Sequence, residues 1–387
     1  MTNAFVSAVP TICMSVLFKE ISGELNLNLV QVGWVWGISS LPSIVMLLVW
    51  GILGDRVGPK RILILGCGLV GTFGAARGLA NDFTSLLIAV IALGFVSPLV
   101  TMNTIKTCGM WFPSRQLGLA NGVLSMGMAI GFMLGSMISA TVLSPWLGSW
   151  RHVLFFYGAL SLVLCVPWMF TQSTPITRTA TGARHHVPVT QSLTHVARLK
   201  PIWLLGLIMI GFGGCVQGML GYLPLYLREL GWTPSTADSA ASLFHAMSMV
   251  FVVPIALWSD RLGSRRSVLL LATLATVGGV GALAFASGVA VYPAIALAGM
   301  VRDGFMGVFI TMIIETEGIG KTFAGTATGF VMSLGAIGTW IAPSFGNSFA
   351  SIAPGMPFIT WAILAAIGFA GLFIFRERQH THRVGAE

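Results

Sequence analysis

Runs of about twenty apolar residues recur along this 387-residue chain, and each is long enough to cross a ~30 Å hydrocarbon core as a helix. The spans fall near 3–19, 29–53, 62–80, 84–110, 116–142 and 151–170, and then near 202–227, 237–258, 267–286, 291–314, 323–348 and 356–375. Between the two sets lies 172–200, rich in Thr, His, Arg and Pro and without an apolar run. It reads as a linker. The expected fold is an all-α membrane protein of twelve transmembrane helices in two pseudo-symmetric six-helix bundles. Its parts would be a first half over 1–171, a cytoplasmic linker over 172–200, and a second half with a short cytoplasmic tail over 201–387.

Composition excludes a soluble bundle with buried helices. Charged residues are 9% of the chain and hydrophobic residues 55%, whereas a water-facing surface needs about 25% charge. The 47 glycines suit close helix packing in lipid. Cys13, Cys67, Cys108, Cys165 and Cys215 all lie inside apolar runs with no Cys-x-x-Cys pair. They read as packing residues and not as a metal or disulfide set. The first run has neither a basic leading region nor a small-residue cleavage site, so it is not expected to be a cleaved signal peptide.

Basic residues set the orientation. The even-numbered connections and the termini carry Arg56, Lys60, Arg61, Arg115, Arg178, Arg184, Arg198, Lys200, Arg261, Arg265, Arg266, Lys321, Arg376, Arg378 and Arg383, 15 of the 21 Lys and Arg. The odd-numbered connections and their helix ends carry Lys19, Arg77, Arg151 and Arg228. The positive-inside rule therefore places both termini and the linker in the cytoplasm of a plasma (inner) membrane protein. The net charge of +9 is a topology signal, and no nucleic-acid partner follows from it.

The halves repeat at an offset of 205: Glu24-Leu25 matches Glu229-Leu230, Asp55-Arg56-x-Gly58 matches Asp260-Arg261-x-Gly263, and Gly94 matches Gly299. Such repeats, related by an axis along the membrane normal, are a transporter architecture with the substrate site between the halves. The seventh span begins near Ile202, which the offset maps to position −3. The first helix is thus expected either to be a few residues short or, preferably, to continue upstream of Met1.

After the second span the chain reads Gly51-x-x-x-Asp55-Arg56-x-Gly58-x-Lys60-Arg61, and after the eighth Ala256-x-x-x-Asp260-Arg261-x-Gly263-x-Arg265-Arg266. An acid at a helix C-terminus opposes that helix's dipole. Asp55 and Asp260 therefore need a partner, either an Arg or the N-terminus of another helix. Gly58 and Gly263 permit a tight turn. The pattern resembles the loop between helices 2 and 3 of the major facilitator superfamily, and the resemblance covers essentially the whole chain. It implies a secondary transporter working by alternating access, with helices 1, 4, 7 and 10 lining the cavity. It also implies that Gly51, Asp55, Arg56, Gly58, Lys60 and Arg61 form a latch between the halves, closed when the protein faces outward. Asp260, Arg261, Gly263, Arg265 and Arg266 would be a weaker second copy, since Ala256 stands where Gly is usual. Trp111-Phe112-Pro113 and Trp150-Arg151 also resemble family positions.

Two departures argue against a multidrug/proton antiporter. The fifth span reads Gly127-x-x-x-Gly131-Phe132-x-x-Gly135-Ser136, with Phe132 and Ser136 replacing the Pro and a Gly of the exporter pattern. The fourth span lacks those exporters' mid-helix Arg. A Gly stripe by itself is a packing face.

Charges inside spans mark candidate substrate contacts. Arg302 lies about 11 residues into the tenth span, at ~1.5 Å per residue close to the midplane. Asp303 follows it, but neighbours i and i+1 do not share a helix face, so the two need not pair. Lys106 is about one turn from the cytoplasmic end of the fourth span and can snorkel. The repeat maps Arg302 to Ser97, about half a turn from Lys106. His245 is the histidine well inside a span, a proton-coupling candidate for which a hydrogen-bonded structural role is favoured. Asn103, Gln217 and Tyr222 are further candidate polar liners. Glu315 and Glu317 are expected to be solvated, and Arg77 to be an interfacial anchor.

The expected function is secondary transport of a small organic anion or carboxylate, with protons as the default coupling ion. No enzyme activity, cofactor or metal is expected, and the protein is expected to act as a monomer in the lipid bilayer. No Gly-x-x-x-x-Gly-Lys-Ser/Thr loop is present, so no ATP hydrolysis is expected. The alternative is a transporter or exporter of a neutral or lipophilic solute in which Arg302 is structural. A membrane sensor or intramembrane enzyme is remote, because the loops are short and carry no catalytic constellation.

Overall fold

The structure, a computed structural model, describes residues 2–112, 114–171 and 189–375. Among these, twelve helices are long and apolar enough to cross a membrane, and no strand is present. The first six are α1 (Thr2–Leu25), α2 (Leu29–Gly37 and Ser40–Val57), α3 (Pro59–Ala76), α4 (Phe83–Trp111), α5 (Ser114–Ile138, running through Ser139–Leu143 to Ser144–Leu147) and α6 (Trp150–Val163 and Cys165–Phe170). The second six are α7 (Lys200–Glu229), α8 (Pro234–Leu262), α9 (Arg265–Leu283), α10 (Val291–Met300 and Arg302–Glu315), α11 (Gly320–Ser348) and α12 (Met356–Ile374). An even number of crossings puts the start of α1, the end of α12 and the α6–α7 connection on one side, here the linker side; the other is the far side.

Local chemistry sets several boundaries. Asn28 caps α2, its side chain accepting from the Gln31 amide at 2.8 Å while Gln31 accepts from the Asn28 amide at 3.0 Å. Asp82 caps α4 in the same way through Ser85, and that bond to Ser85 holds the Asp82 carboxyl below the usual carboxylate range. The linker is partly regular: Val189–Arg198 is a helix that buries Val196 and stacks His195 on Phe323 with ring centroids 4.4 Å apart. The remainder, 172–188, lies outside the described residues.

The repeat is visible in atomic packing. A Cβ on Gly94 would lie 2.5 Å from the Ser39 carbonyl oxygen and 2.9 Å from its Cα. On Gly299 it would meet the carbonyl oxygen and Cα of Phe244 at the same 2.5 and 2.9 Å. Ser39 and Phe244 are themselves 205 apart. Only a residue without a side chain lets α4 cross α2, and α10 cross α8, this closely. The α5 stripe is likewise a packing face, since a Cβ on Gly131 would lie 2.7 Å from the Phe5 carbonyl of α1.

Hydrogen bonds join the halves from the far side inward. Asn347 donates to the Leu29 carbonyl (2.8 Å), Trp36 Nε1 to the Gln217 carbonyl (2.7 Å), Ser242 to the Met133 carbonyl (3.1 Å) and Ser333 to the Ile44 carbonyl (3.3 Å).

Replacing Gly299 with Leu should overpack the α8–α10 crossing at about 1–3 kcal/mol and lower the melting temperature in detergent by several degrees. Gly122→Leu, which meets open space, should leave it within about a degree. Equal shifts would mean that the crossing is not tight.

Candidate functional site

The tenth span is interrupted at Val301 (φ −97°, ψ −12°), between Val291–Met300 and Arg302–Glu315. An interruption frees backbone groups that lipid cannot satisfy. The Asp303 amide is taken up by Ser248 Oγ of α8 at 3.1 Å. Arg302 and Asp303, expected to lie on different faces, are in fact paired, Arg302 Nη1 donating to Asp303 Oδ1 at 2.7 Å. They open a new helical segment, and the long Arg side chain curls back over its neighbour. Their side chains are 27% and 29% exposed. The guanidinium also sits 5.7 Å from the ring centroid of Phe132 on α5, in the other half. His245 of α8 stacks on that ring at 5.3 Å. It is buried, and its Nε2 has no hydrogen-bond partner, so stacking supplies the contact where a hydrogen bond was expected.

Phe132 is also a wall of a cavity of about 430 Å³ between α1, α3, α4 and α5. The lining is apolar, with hydroxyls from Ser7 and Thr11 on α1 and Ser97, Thr101 and Thr104 on α4. Ser97 is the repeat equivalent of Arg302. A second cavity of about 420 Å³ shares Thr104 and Leu124 with the first and reaches Trp111, Trp168 and Thr171 at the linker side. Sequence reasoning missed these hydroxyls. The i, i+4 spacings Ser7/Thr11 and Ser97/Thr101 were the available signal.

The remaining candidates separate from this site. Asn103 is buried and donates to the Leu99 carbonyl at 2.8 Å. Tyr222 donates to the Pro354 carbonyl at 3.1 Å and packs among Tyr226, Phe358 and Trp361, a scaffold position. Gln217 serves through its backbone carbonyl, which accepts from Trp36. Lys106 is half-buried beside the wall residue Ile105 but does not itself line the cavity.

The Major Facilitator Superfamily profile matches residues 1–343 and 227–387. The chain is a member of the Major Facilitator Superfamily. It is 25% identical over 366 residues to the 3-(3-hydroxy-phenyl)propionate transporter of Escherichia coli K12, covering 94% of this chain and 89% of that one. Among solved structures it superposes on a bacterial homolog of the human lysosomal transporter Spinster, inward-facing and unoccupied, with a TM-score of 0.79 at 16% identity over 96% and 94% of the chains. It also superposes on a D-xylose-proton symporter with a TM-score of 0.78 at 14% identity over 98% and 97%. These relatives are transporters and not enzymes.

In this superfamily member both latch-motif glycines have positive φ, +92° at Gly58 and +66° at Gly263, a conformation that disfavours side chains. Asp260 finds the partner expected of it in Arg265 at 2.5 Å. Arg265 Nε also lies 3.6 Å from Glu315, which is exposed, as expected, and carries this partner as well. Arg266 donates to the Leu372 and Phe373 carbonyls at 2.8 and 2.7 Å, and Lys60 to Met169 at 3.0 Å. Each is a cation on the C-terminal carbonyls of the last helix of its half. Arg61 and Arg261 are exposed. Gly51 lies within α2, and its surroundings and the side chains of Asp55 and Arg56 lie outside what the structure describes.

The far side holds a buried charge network that sequence reading missed. Arg228 of α7 was assigned to a connection, but its side chain is 5% exposed. It donates to Glu20 of α1 and Asp238 of α8, both at 2.9 Å. Thr141 of α5 donates to Asp238 at 2.6 Å. Two helices of each half are thus tied together, and Asp238 is 0% exposed. Removing one member leaves a buried charge uncompensated, typically 3–5 kcal/mol. Asp238→Ala should therefore lower stability sharply, and adding Arg228→Met should restore part of the loss. A double variant whose loss equals the sum of the two single losses would show that the residues are uncoupled.

Proposed function

We propose that this protein is a proton-coupled symporter that imports a small carboxylate with an apolar or aromatic body. The observation that carries this reading is the part-exposed Arg302 guanidinium, poised over Phe132 at the wall of an apolar, hydroxyl-bearing cavity. The cavity suits the body, the hydroxyls suit ring substituents, and the guanidinium suits the carboxylate. The related hydroxyphenylpropionate transporter supports this substrate class. The domain bounds 1–171, 172–200 and 201–387 go with this reading, as does a linker side facing the cytoplasm under the positive-inside rule. The closed far side and the cavities that reach Trp111 and Thr171 support an inward-facing state.

Coupling follows from the pair. A proton on Asp303 removes the counter-charge of Arg302 and leaves the guanidinium to the substrate carboxylate. Loss of that proton on the cytoplasmic side re-forms the pair and releases the substrate. One proton then travels with one monocarboxylate, with no net charge moved.

One observation favours the alternative of a neutral or lipophilic solute: Asp303 already neutralises Arg302 at 2.7 Å. Proteoliposome uptake decides between them, using 3-(3-hydroxyphenyl)propionate, galacturonate and neutral solutes with and without an inward proton gradient. Arg302→Gln should cut carboxylate uptake at least about tenfold, the scale of losing a buried charged hydrogen bond. Asp303→Asn should leave binding but abolish acceleration by the gradient. Uptake of neutral solutes only, unchanged in Arg302→Gln, would overturn the carboxylate reading.

A further inference from the structure

Arg77 closes α3 in the turn Arg77–Leu79 and was expected to sit in the interface as an anchor. It is instead 2% exposed. Helical side chains lean toward their own N-terminus, and Arg77 follows that rule: its Nε donates to the Gly74 carbonyl one turn back at 3.1 Å. Its Nη2 crosses to α1 and donates to the Pro10 carbonyl, also at 3.1 Å. The Cys13 thiol lies against the guanidinium and shares that carbonyl at 3.3 Å. These partners are all neutral, and among the described residues Arg77 has no acidic partner. This sets it apart from Arg302, Arg228, Arg151 and Arg265, each of which has one.

A buried cation without a counter-charge is costly in a membrane and marks function by default. Its position says which function. Pro10 is a wall of the cavity of about 430 Å³, with Ser7 and Thr11 on either side of it along α1, and Val70 of α3 also lines it. The guanidinium therefore stands one carbonyl group behind the cavity wall, without touching the space itself. A fixed charge there, in low-dielectric surroundings, raises the potential inside the cavity whether or not Arg302 is paired.

We propose that Arg77 is a charge-selectivity residue: held behind Pro10, its uncompensated positive charge makes the cavity prefer anions over uncharged analogues of the same shape. This rests on the carboxylate reading above and deepens it, because it gives the cavity an anion preference that does not switch off when Asp303 pairs with Arg302. A unit charge about 10 Å away at an effective dielectric of about 20 changes binding by roughly an order of magnitude.

The test measures binding of 3-(3-hydroxyphenyl)propionate and of its uncharged amide to the full-length protein in nanodiscs. Arg77→Gln should weaken the carboxylate about tenfold and leave the amide unchanged, while Arg77→Lys, which keeps the charge, should retain most of the preference. Because Arg77→Gln removes the Nη2 donor to α1 as well as the charge, Cys13→Asp supplies a second route. It sets a counter-charge against an intact guanidinium and should erase the same preference, whereas Cys13→Ser should not. A carboxylate preference that survives both Arg77→Gln and Cys13→Asp, or equal weakening of both ligands in each, overturns this inference and leaves the carboxylate reading standing. A wild-type protein that binds carboxylate no better than amide overturns both.

Discussion

Every backbone amide and carbonyl of this chain that lies in the hydrocarbon layer must be satisfied inside the protein, and the structure is organised around the few places where a helix alone cannot do it. Val301 breaks α10, and the Asp303 amide is taken up by Ser248 of the neighbouring helix. Pro10, inside α1, has no N–H to give the Val6 carbonyl, and its own carbonyl collects Arg77 from α3 and Cys13 from α1. Helix α5 loosens over Ser139–Leu143, where Ser139 lies 2.8 Å from the Tyr157 hydroxyl and Thr141 reaches Asp238. At each of them another helix brings a polar side chain to a chosen depth.

Charge follows the same economy. Burying an ion is tolerated when it is paired and hydrogen-bonded, and the far-side network meets that condition with Arg228 between two acids. It joins α1 and α5 to α7 and α8, so the pairing energy and the closed position of the halves are one quantity. Opening the far side must either hydrate these groups or neutralise an acid. The α2–α11 contacts, through Leu29, Ile44 and their partners, are neutral and add closeness without that requirement.

Much of this was legible in the sequence. Apolar runs report spans directly because hydrocarbon thickness sets their length, and a repeated Asp-Arg-x-Gly at one offset reports two related halves. The contact pairs Gly94–Ser39 and Gly299–Phe244 show that the same offset governs packing. What could not be read is which way a residue points. Tyr222 and Asn103 have suitable chemistry, but their side chains are taken up by the Pro354 and Leu99 carbonyls, because helix rotation is set by partners remote in sequence. The Arg302–Asp303 pair depends on a break at Val301 that no Pro or Gly announces at that position. Arg77 was read as an interfacial anchor and Arg228 as part of a connection, because a basic residue at a span's end has two places to go. Inward-facing partners at Pro10, Glu20 and Asp238, not sequence position, decided which.

The halves are repeats in backbone but not in chemistry. Both described cavities lie in the first half, one of them walled by hydroxyls and by Phe132, while the ion pair against that ring belongs to the second. Phe132 is the contact between them, with His245 and Arg302 of the second half against its ring. A rotation of one half against the other must therefore separate the ring from the guanidinium. A ligand that occupies the cavity while holding Arg302 interacts with both halves at once, and differently in the two arrangements. Differential interaction of that kind is the sole means by which a ligand shifts a conformational equilibrium. Dividing the site between unlike halves supplies it, because a site contained in one half would move as a rigid body and leave the ligand indifferent to the motion.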